Sequence, residues 1–100
     1  MLKNFRTYQL AISFYHLSCK ITLRGALRNQ LDRAASSIVL NLAEGAGRQS
    51  PKDSKRFYII AFGSLRECQA ILDLLPKESE AIECADSLAA HLYRLIQKAG

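Results

Sequence analysis

The sequence predicts an all-α protein, an antiparallel up-down-up-down four-helix bundle. Apolar residues recur at helical spacing in four segments, near residues 4–22, 26–46, 51–75 and 79–98. The two prolines and most of the five glycines lie where these segments begin or end, as residues that interrupt helices do. Short connections favour antiparallel neighbours, and 100 residues suit a single domain, residues 1–100.

The first segment is apolar on two opposite faces. One face carries Tyr8, Ala11, Ile12, Tyr15 and Cys19, and the other carries Leu10, Phe14, Leu17 and Ile21. A helix with two apolar faces needs two partners, so we expect one face to enter the core and the other to meet a second copy of the chain. The third segment also has surplus apolar surface. The predicted subunit interface comprises Leu10, Phe14, Leu17, Ile21, Tyr58, Ile59 and Phe62. The alternative is a first helix buried on both sides within its own chain.

The second segment has a core stripe that is rich in small residues. Its members are Leu27, Leu31, Ala34, Ala35, Ile38 and Leu42. Small side chains let helices approach closely, so this helix is expected to pack tightly against its neighbours. Gly45 and Gly47 predict its end, with one of them supplying a left-handed cap.

The third helix has a clear start signal. Ser50 is suited to the N-cap, Pro51 to the first helical position and Asp53 to the first turn. Pro76 predicts its end, and an amphipathic fourth helix follows. The predicted core residues of these two helices are Phe57, Ala61, Ser64, Leu65, Cys68, Leu72, Leu75, Ile82, Ala85, Leu88, Ala89, Leu92, Leu95 and Ile96.

Composition narrows the class of protein. Apolar residues make up 49% of the chain, an ordinary globular value, and no apolar run approaches the roughly 20 residues of a membrane span. Polar residues from Arg6 onward interrupt the start where the apolar region of a signal peptide would lie, so we expect a cytoplasmic location. Three cysteines cannot all pair within one chain, so we expect reduced thiols. The net charge of +5 is uneven: residues 1–66 hold eleven Lys or Arg and three acids, and residues 67–100 hold three and six. Such a basic portion is typical of nucleic-acid binding or of docking to an acidic partner.

The middle of the chain resembles a known family. The resemblance rests on residues 30–38 (QLDRAASSI), on 41–45 (NLAEG) with Arg48, and on 50–52 (SPK). The pairs at 56–57 and 60–61, the run Gly63 to Leu65 and residues 5–11 extend it over nearly the whole chain. The sequence is similar to the four-helix-bundle proteins encoded in intervening sequences of bacterial 23S rRNA genes. It departs from them in a shorter link between the first two helices, around Thr22 to Ala26, without their Leu-Pro turn.

The resemblance implies a ring of identical subunits, typically a homopentamer, with no established enzymatic activity. A related protein, the accessory variability determinant of diversity-generating retroelements, implies a nucleic-acid partner and a reverse transcriptase. The expected function is therefore a homo-oligomeric accessory protein that binds RNA or DNA. The alternative is a protein-interaction scaffold with no nucleic-acid role.

Basic residues flank the second helix and its link to the third, and we expect them to form one positive surface for phosphates. They are Arg24, Arg28, Arg33, Arg48, Lys52, Lys55 and Arg56. The alternative is an ordinary solvated helix face. Asn41, Glu44, Gly45, Gly47, Gly63 and Ser64 are assigned structural roles, with Glu44 and Arg48 spaced as a helical ion pair. His16 and Cys19 are too few for zinc, and neither a metal, a cofactor nor a catalytic constellation is predicted.

Overall fold

Four helices form the protein in a computed structural model that describes Leu2 and residues 5–99. They are α1 (Arg6–Cys19), α2 (Gly25–Ala46), α3 (Pro51–Asp73) and α4 (Ser79–Lys98), and no strand occurs among the described residues. Each helix packs against the next, and α1 also packs against α4, which closes a square antiparallel bundle measuring 40 × 22 × 21 Å. The predicted fold class is confirmed. The predicted helix start at residue 4, and both ends of the predicted domain, lie outside the described residues.

The start of α3 and the end of α2 both lie where the sequence signals predict them. The Ser50 hydroxyl accepts a hydrogen bond from the Asp53 backbone N–H at 3.1 Å, and Pro51 is the first helical residue. The left-handed glycine cap predicted for α2 is wrong, because Gly45 lies inside the helix and Gly47 has φ −88°. The Ser54 hydroxyl instead donates to the Gly45 carbonyl at 2.7 Å. The same carbonyl also accepts the Arg48 backbone N–H at 3.2 Å, so a local turn and a side chain of the next helix together satisfy the end of α2.

The buried side of α1 comes mainly from the face that was predicted to meet a second copy, and Ala11 is the buried residue that comes from the opposite face. The stripe that faces the core is Thr7, Leu10, Ala11, Phe14 and Ser18, with Ile21 just beyond the helix. Leu10, Phe14 and Ile21 are therefore covered by their own chain and are not free for a subunit interface, while Leu17 is half-buried. The inward stripe includes the hydroxyl residues Thr7 and Ser18, so a search for apolar residues at helical spacing does not find it. The Ser18 hydroxyl is buried because it donates to the Tyr15 carbonyl at 2.8 Å.

Helices α2 and α3 make the closest contact in the bundle, and Gly45 permits it. A Cβ at Gly45 would lie 2.5 Å from Cε1 of Tyr58 and 3.1 Å from the Ser54 carbonyl oxygen. Tyr58 packs into this space and is only 7% exposed, so its predicted place in a subunit interface is wrong as well. Farther along, the hydroxyls of Ser37 and Ser64 are 2.8 Å apart across the same contact. Small residues on α2 thus bring α3 close, as predicted.

Most of the remaining core agrees with the predicted stripes. The predicted core residue Phe57 does not pack against the core, whereas Ile71 and Ala81 are buried without having been predicted. The fully buried side chains of α2, α3 and α4 include Leu31, Ile38, Leu42, Leu65, Cys68, Leu88 and Leu92. Burial, with the neighbouring Glu67 carboxylate, raises the pKa of the Cys68 thiol to about 12. Cys19 is exposed, contrary to its predicted place on a core stripe, because α1 turns its other face inward.

Candidate nucleic-acid interface

The predicted basic residues do not form one surface. Arg24 precedes α2 and Arg48 follows it, and a helix of 22 residues is about 33 Å long. Arg48, Lys52, Lys55 and Arg56 lie at one end of the bundle, Arg24 and Arg28 lie at the other end, and Arg33 lies between them. The expectation of a single positive surface is wrong, because Arg24 and Arg48 lie at opposite ends of α2 and are separated by the length of that helix.

Arg28 serves the fold rather than a ligand. Its guanidinium donates to the carbonyl oxygens of Ile21 at 2.7 Å and of Ser18 at 2.9 Å, which satisfies acceptors at and beyond the end of α1. The same group pairs with the Asp32 carboxylate at 2.8 Å, and its side chain is 19% exposed. Because its guanidinium nitrogens already donate to these three groups, Arg28 is poorly placed to bind a phosphate, and its predicted binding role is wrong.

At the α2–α3 turn, two guanidinium groups are held on one aromatic ring. The Cζ atoms of Arg48 and Arg56 lie 4.6 Å and 4.7 Å from the ring centroid of Phe57. Arg48 also pairs with Glu44 at 2.7 Å, the helical ion pair that the spacing predicts. Arg56 lies 3.9 Å from the Asp53 carboxylate. The ring and the carboxylates restrain both arginines, so less conformational freedom remains to be lost when an anion binds.

Lys52 and Lys55 complete this group on the first turns of α3. Lys52 is exposed and Lys55 half-exposed, and among the described residues no carboxylate lies within 4.0 Å of either amine. They are therefore the basic groups of the turn most available to an external anion. Phosphate oxygens are suitable partners for such amines.

The bundle topology adds basic residues that sequence reasoning missed. In an up-down-up-down bundle, the start of α1 and the end of α4 lie at the same end as the α2–α3 turn. The exposed side chains of Arg6, Arg94 and Lys98 therefore join the four predicted residues of the turn. We call these seven basic residues the basic end. The antiparallel order was predicted from the sequence, but its consequence, that residues 6 and 94–98 lie at the same end as residues 48–56, was not drawn from it.

Nearly all of the net charge is concentrated at the basic end. Seven basic residues lie there with two acids, Glu44 and Asp53, whereas the rest of the described chain carries six basic and seven acidic residues. The basic end thus holds an excess of five positive charges, and the remainder is close to neutral. Charges of one sign grouped within a few turns of helix attract a polyanion more strongly than the same charges spread over a surface.

The other predicted motif residues have structural surroundings. The Asn41 amide donates to the carbonyl and hydroxyl oxygens of Ser37 at 2.9 Å and 3.0 Å, and Ser37 in turn contacts Ser64 of α3. Asn41 therefore supports the α2–α3 contact from within α2. Gly63 is different, since it lies exposed in the middle of α3 and an added Cβ would meet no atom within 4 Å.

In Leu2 and residues 5–99, no three His, Cys, Asp or Glu side chains lie close enough together to hold a metal ion. Within the same residues, no helix has the length and apolar character needed to cross a membrane.

Comparison with known proteins gives one match. The sequence profile of the family described as 23S rRNA-intervening sequence protein matches residues 3–99 of the chain. No curated protein matches it, and no solved structure does.

Proposed function

The chain belongs to the 23S rRNA-intervening sequence protein family, and from this membership and its one-sided charge we propose that it is a homo-oligomeric accessory protein that binds RNA or DNA through its basic end. The observation that carries the proposal is the excess of five positive charges at that end, with the rest of the described chain near neutral. Charge of this kind supplies most of the affinity in binding that does not depend on sequence. No catalytic step is part of the proposal.

Self-association is the second part of the proposal. A chain of 100 residues buries a limited core, and this one leaves Leu40, Ile59 and Ile60 at 66%, 52% and 45% exposure. Assembly would cover these side chains. It would also multiply the basic end by the number of subunits, five if the ring is a pentamer, and several weak phosphate contacts would then act together. A reverse transcriptase or another ribonucleoprotein component in the cytoplasm is the partner we propose for such a complex.

A titration tests nucleic-acid binding. Labelled single-stranded RNA, single-stranded DNA and duplex DNA are titrated with the protein at several salt concentrations. We expect the affinity to fall as salt rises, since each neutralised phosphate releases a counterion. Absence of salt-dependent binding at micromolar protein with all three nucleic acids would defeat the proposal.

A pair of matched variants tests the location of the site. Changing Lys52 and Lys55 to Glu alters the basic end by four charge units, and changing Arg24 and Arg33 to Glu alters the charge equally elsewhere on the bundle. We expect the first variant to lose roughly tenfold or more in affinity and to show a shallower salt dependence, because two phosphate contacts become repulsive. The second variant should bind nearly as the parent chain does. An equal loss in both would mean that only the total charge matters.

A scaffold that docks another protein is the second candidate, and the exposed Leu40, Ile59 and Ile60 favour it. A pull-down from nuclease-treated extract discriminates between the two. Retention of the same protein partner by the parent chain and by the Lys52→Glu, Lys55→Glu variant would support the scaffold. Loss of the bound material on nuclease treatment would support nucleic-acid binding.

A further inference from the structure

The outer face of α3 has features that a single chain does not explain. Ile59 and Ile60 are 52% and 45% exposed, and Gly63 follows them one turn later on the same face. Glycine destabilises the interior of a helix relative to alanine, yet a Cβ at Gly63 would meet nothing within 4 Å in its own chain. Gly45, by contrast, is required by the contact with Tyr58. A glycine that lets another backbone approach would account for residue 63. We call Ile59, Ile60 and Gly63 the α3 ridge.

A second apolar surface lies between α1 and α2. It is an open groove of about 290 Å³, lined by Ile12, Tyr15, His16, Ser36, Val39 and Leu40. Tyr15 and Val39 also pack against the core, whereas Ile12 and Leu40 do not, and Leu40 is 66% exposed. We call these six residues the α1–α2 groove. The chain thus has two exposed apolar surfaces, one on the outer face of α3 and one in a groove between α1 and α2.

The ridge and the groove lie at the same height along the bundle. The hydroxyls of Ser37 and Ser64 are 2.8 Å apart, so these residues of antiparallel helices are level. Leu40 lies three residues beyond Ser37, and Ala61 lies three residues before Ser64, so Leu40 of the groove is level with the ridge. Subunits related by rotation about an axis along the bundle have no shift along that axis. The two surfaces are therefore in register for contact between neighbours in a closed ring.

Charges beside the two surfaces are opposite in sign. Arg56 lies one turn from Ile60 toward the basic end, and Glu44 lies one turn from Leu40 toward the same end. Contact at equal height would bring the Arg56 guanidinium of one copy near the Glu44 carboxylate of the next, where it would add to the pair that Glu44 makes with Arg48 of its own chain. A two-fold contact between ridges would leave the groove of each copy uncovered and would not use this match.

We propose that copies of this chain pack head to tail, with the α3 ridge of one copy seated in the α1–α2 groove of the next. This inference rests on the self-association in the proposed function and names its two surfaces. All copies then point the same way, so their basic ends lie on one rim of the assembly.

Complementary blocking variants test this arrangement. Leu40→Glu blocks the groove and Ile60→Glu blocks the ridge, and both positions are exposed in the single chain. Each variant alone should be a monomer of about 11.2 kDa by light scattering, with its subunit dissociation constant raised at least about 100-fold by the unpaired carboxylate. An equimolar mixture should form a one-to-one dimer, because one intact groove and one intact ridge remain. Tyr93→Glu, an exposed aromatic on α4, is the matched control and should assemble as the parent does.

Each result has a definite meaning. If the parent chain assembles but both blocking variants still do so, or if their mixture yields no dimer, the head-to-tail contact is wrong while self-association stands. If the parent is a monomer at high micromolar concentration, the self-association in the proposed function fails and this inference fails with it. Gly63→Ala provides a second readout: it should weaken assembly without lowering the helix content of the monomer.

Discussion

Replacing Gly45 by alanine should destabilise the bundle although alanine favours a helix. The change gains about 0.5–1 kcal/mol from helix propensity, because glycine is the more flexible residue in the unfolded chain. The new Cβ, however, would lie 2.5 Å and 2.9 Å from two ring atoms of Tyr58 and 3.1 Å from the Ser54 carbonyl oxygen. The ring is buried and the carbonyl belongs to the backbone of α3, so neither moves away freely.

Overpacking of this kind costs about 1–3 kcal/mol, which leaves a net loss of up to about 2.5 kcal/mol for Gly45→Ala, centred on about 1 kcal/mol. At that central value the melting temperature of a chain of this length should fall by about 5 °C. Urea unfolding followed by far-ultraviolet circular dichroism, at one protein concentration for all variants, measures the difference. Gly47→Ala is the control, since its Cβ would meet only atoms at 3.7 Å or more and its φ of −88° suits any residue. The control should be neutral or slightly more stable.

A double variant checks the cause. Tyr58→Leu removes the ring atoms that crowd position 45, so Gly45→Ala should cost less in that background, with a coupling of about 1 kcal/mol. The reasoning is refuted if Gly45→Ala is as stable as Gly47→Ala, or if the two changes at 45 and 58 are additive.

Three further predictions follow from single contacts. Arg28→Ala should lower the free energy of unfolding by about 1–3 kcal/mol, because carbonyls at the end of α1 lose a hydrogen-bond donor. Arg33→Ala, at an exposed position, is the control and should change the free energy by less than about 0.5 kcal/mol in the same urea titration. Ser50→Ala should cost about 1 kcal/mol through loss of the cap on α3, and Ser50→Asp should restore most of it; equal stability of all three would contradict the capping role. Burial raises the pKa of Cys68 to about 12, above the 9.0 of an exposed thiol, so its contribution to stability is present below pH 9 and is lost as the pH rises toward 12. Alkylation at pH 8 with mass-spectrometric mapping should accordingly label the exposed Cys19 quickly and Cys68 only after unfolding, and fast labelling of Cys68 would contradict its burial.

Local signals explain why most of the fold is predictable. Apolar spacing located all four helices, and Ser50 with Pro51 marked the start of α3, because a cap depends on neighbours three residues away. The end of α2 at Ala46 was predicted from Gly45 and Gly47, but the way in which its carbonyls are satisfied was not. The Gly45 carbonyl accepts the Ser54 hydroxyl of α3 as well as the Arg48 N–H, and no pattern within α2 alone identifies the Ser54 contact.

The sequence by itself determined the number of helices, their order and the stripes of α2, α3 and α4, because helical periodicity is a property of neighbouring residues. Only the tertiary structure decided which face of α1 is buried, since both faces are apolar and the inward one includes Thr7 and Ser18. Tertiary structure also separated Arg24 from Arg48 along the length of α2 and brought Arg94 and Lys98 to the basic end. Which of these residues are neighbours in space depends on how the helices pack, and that packing depends on contacts between residues that are distant in sequence.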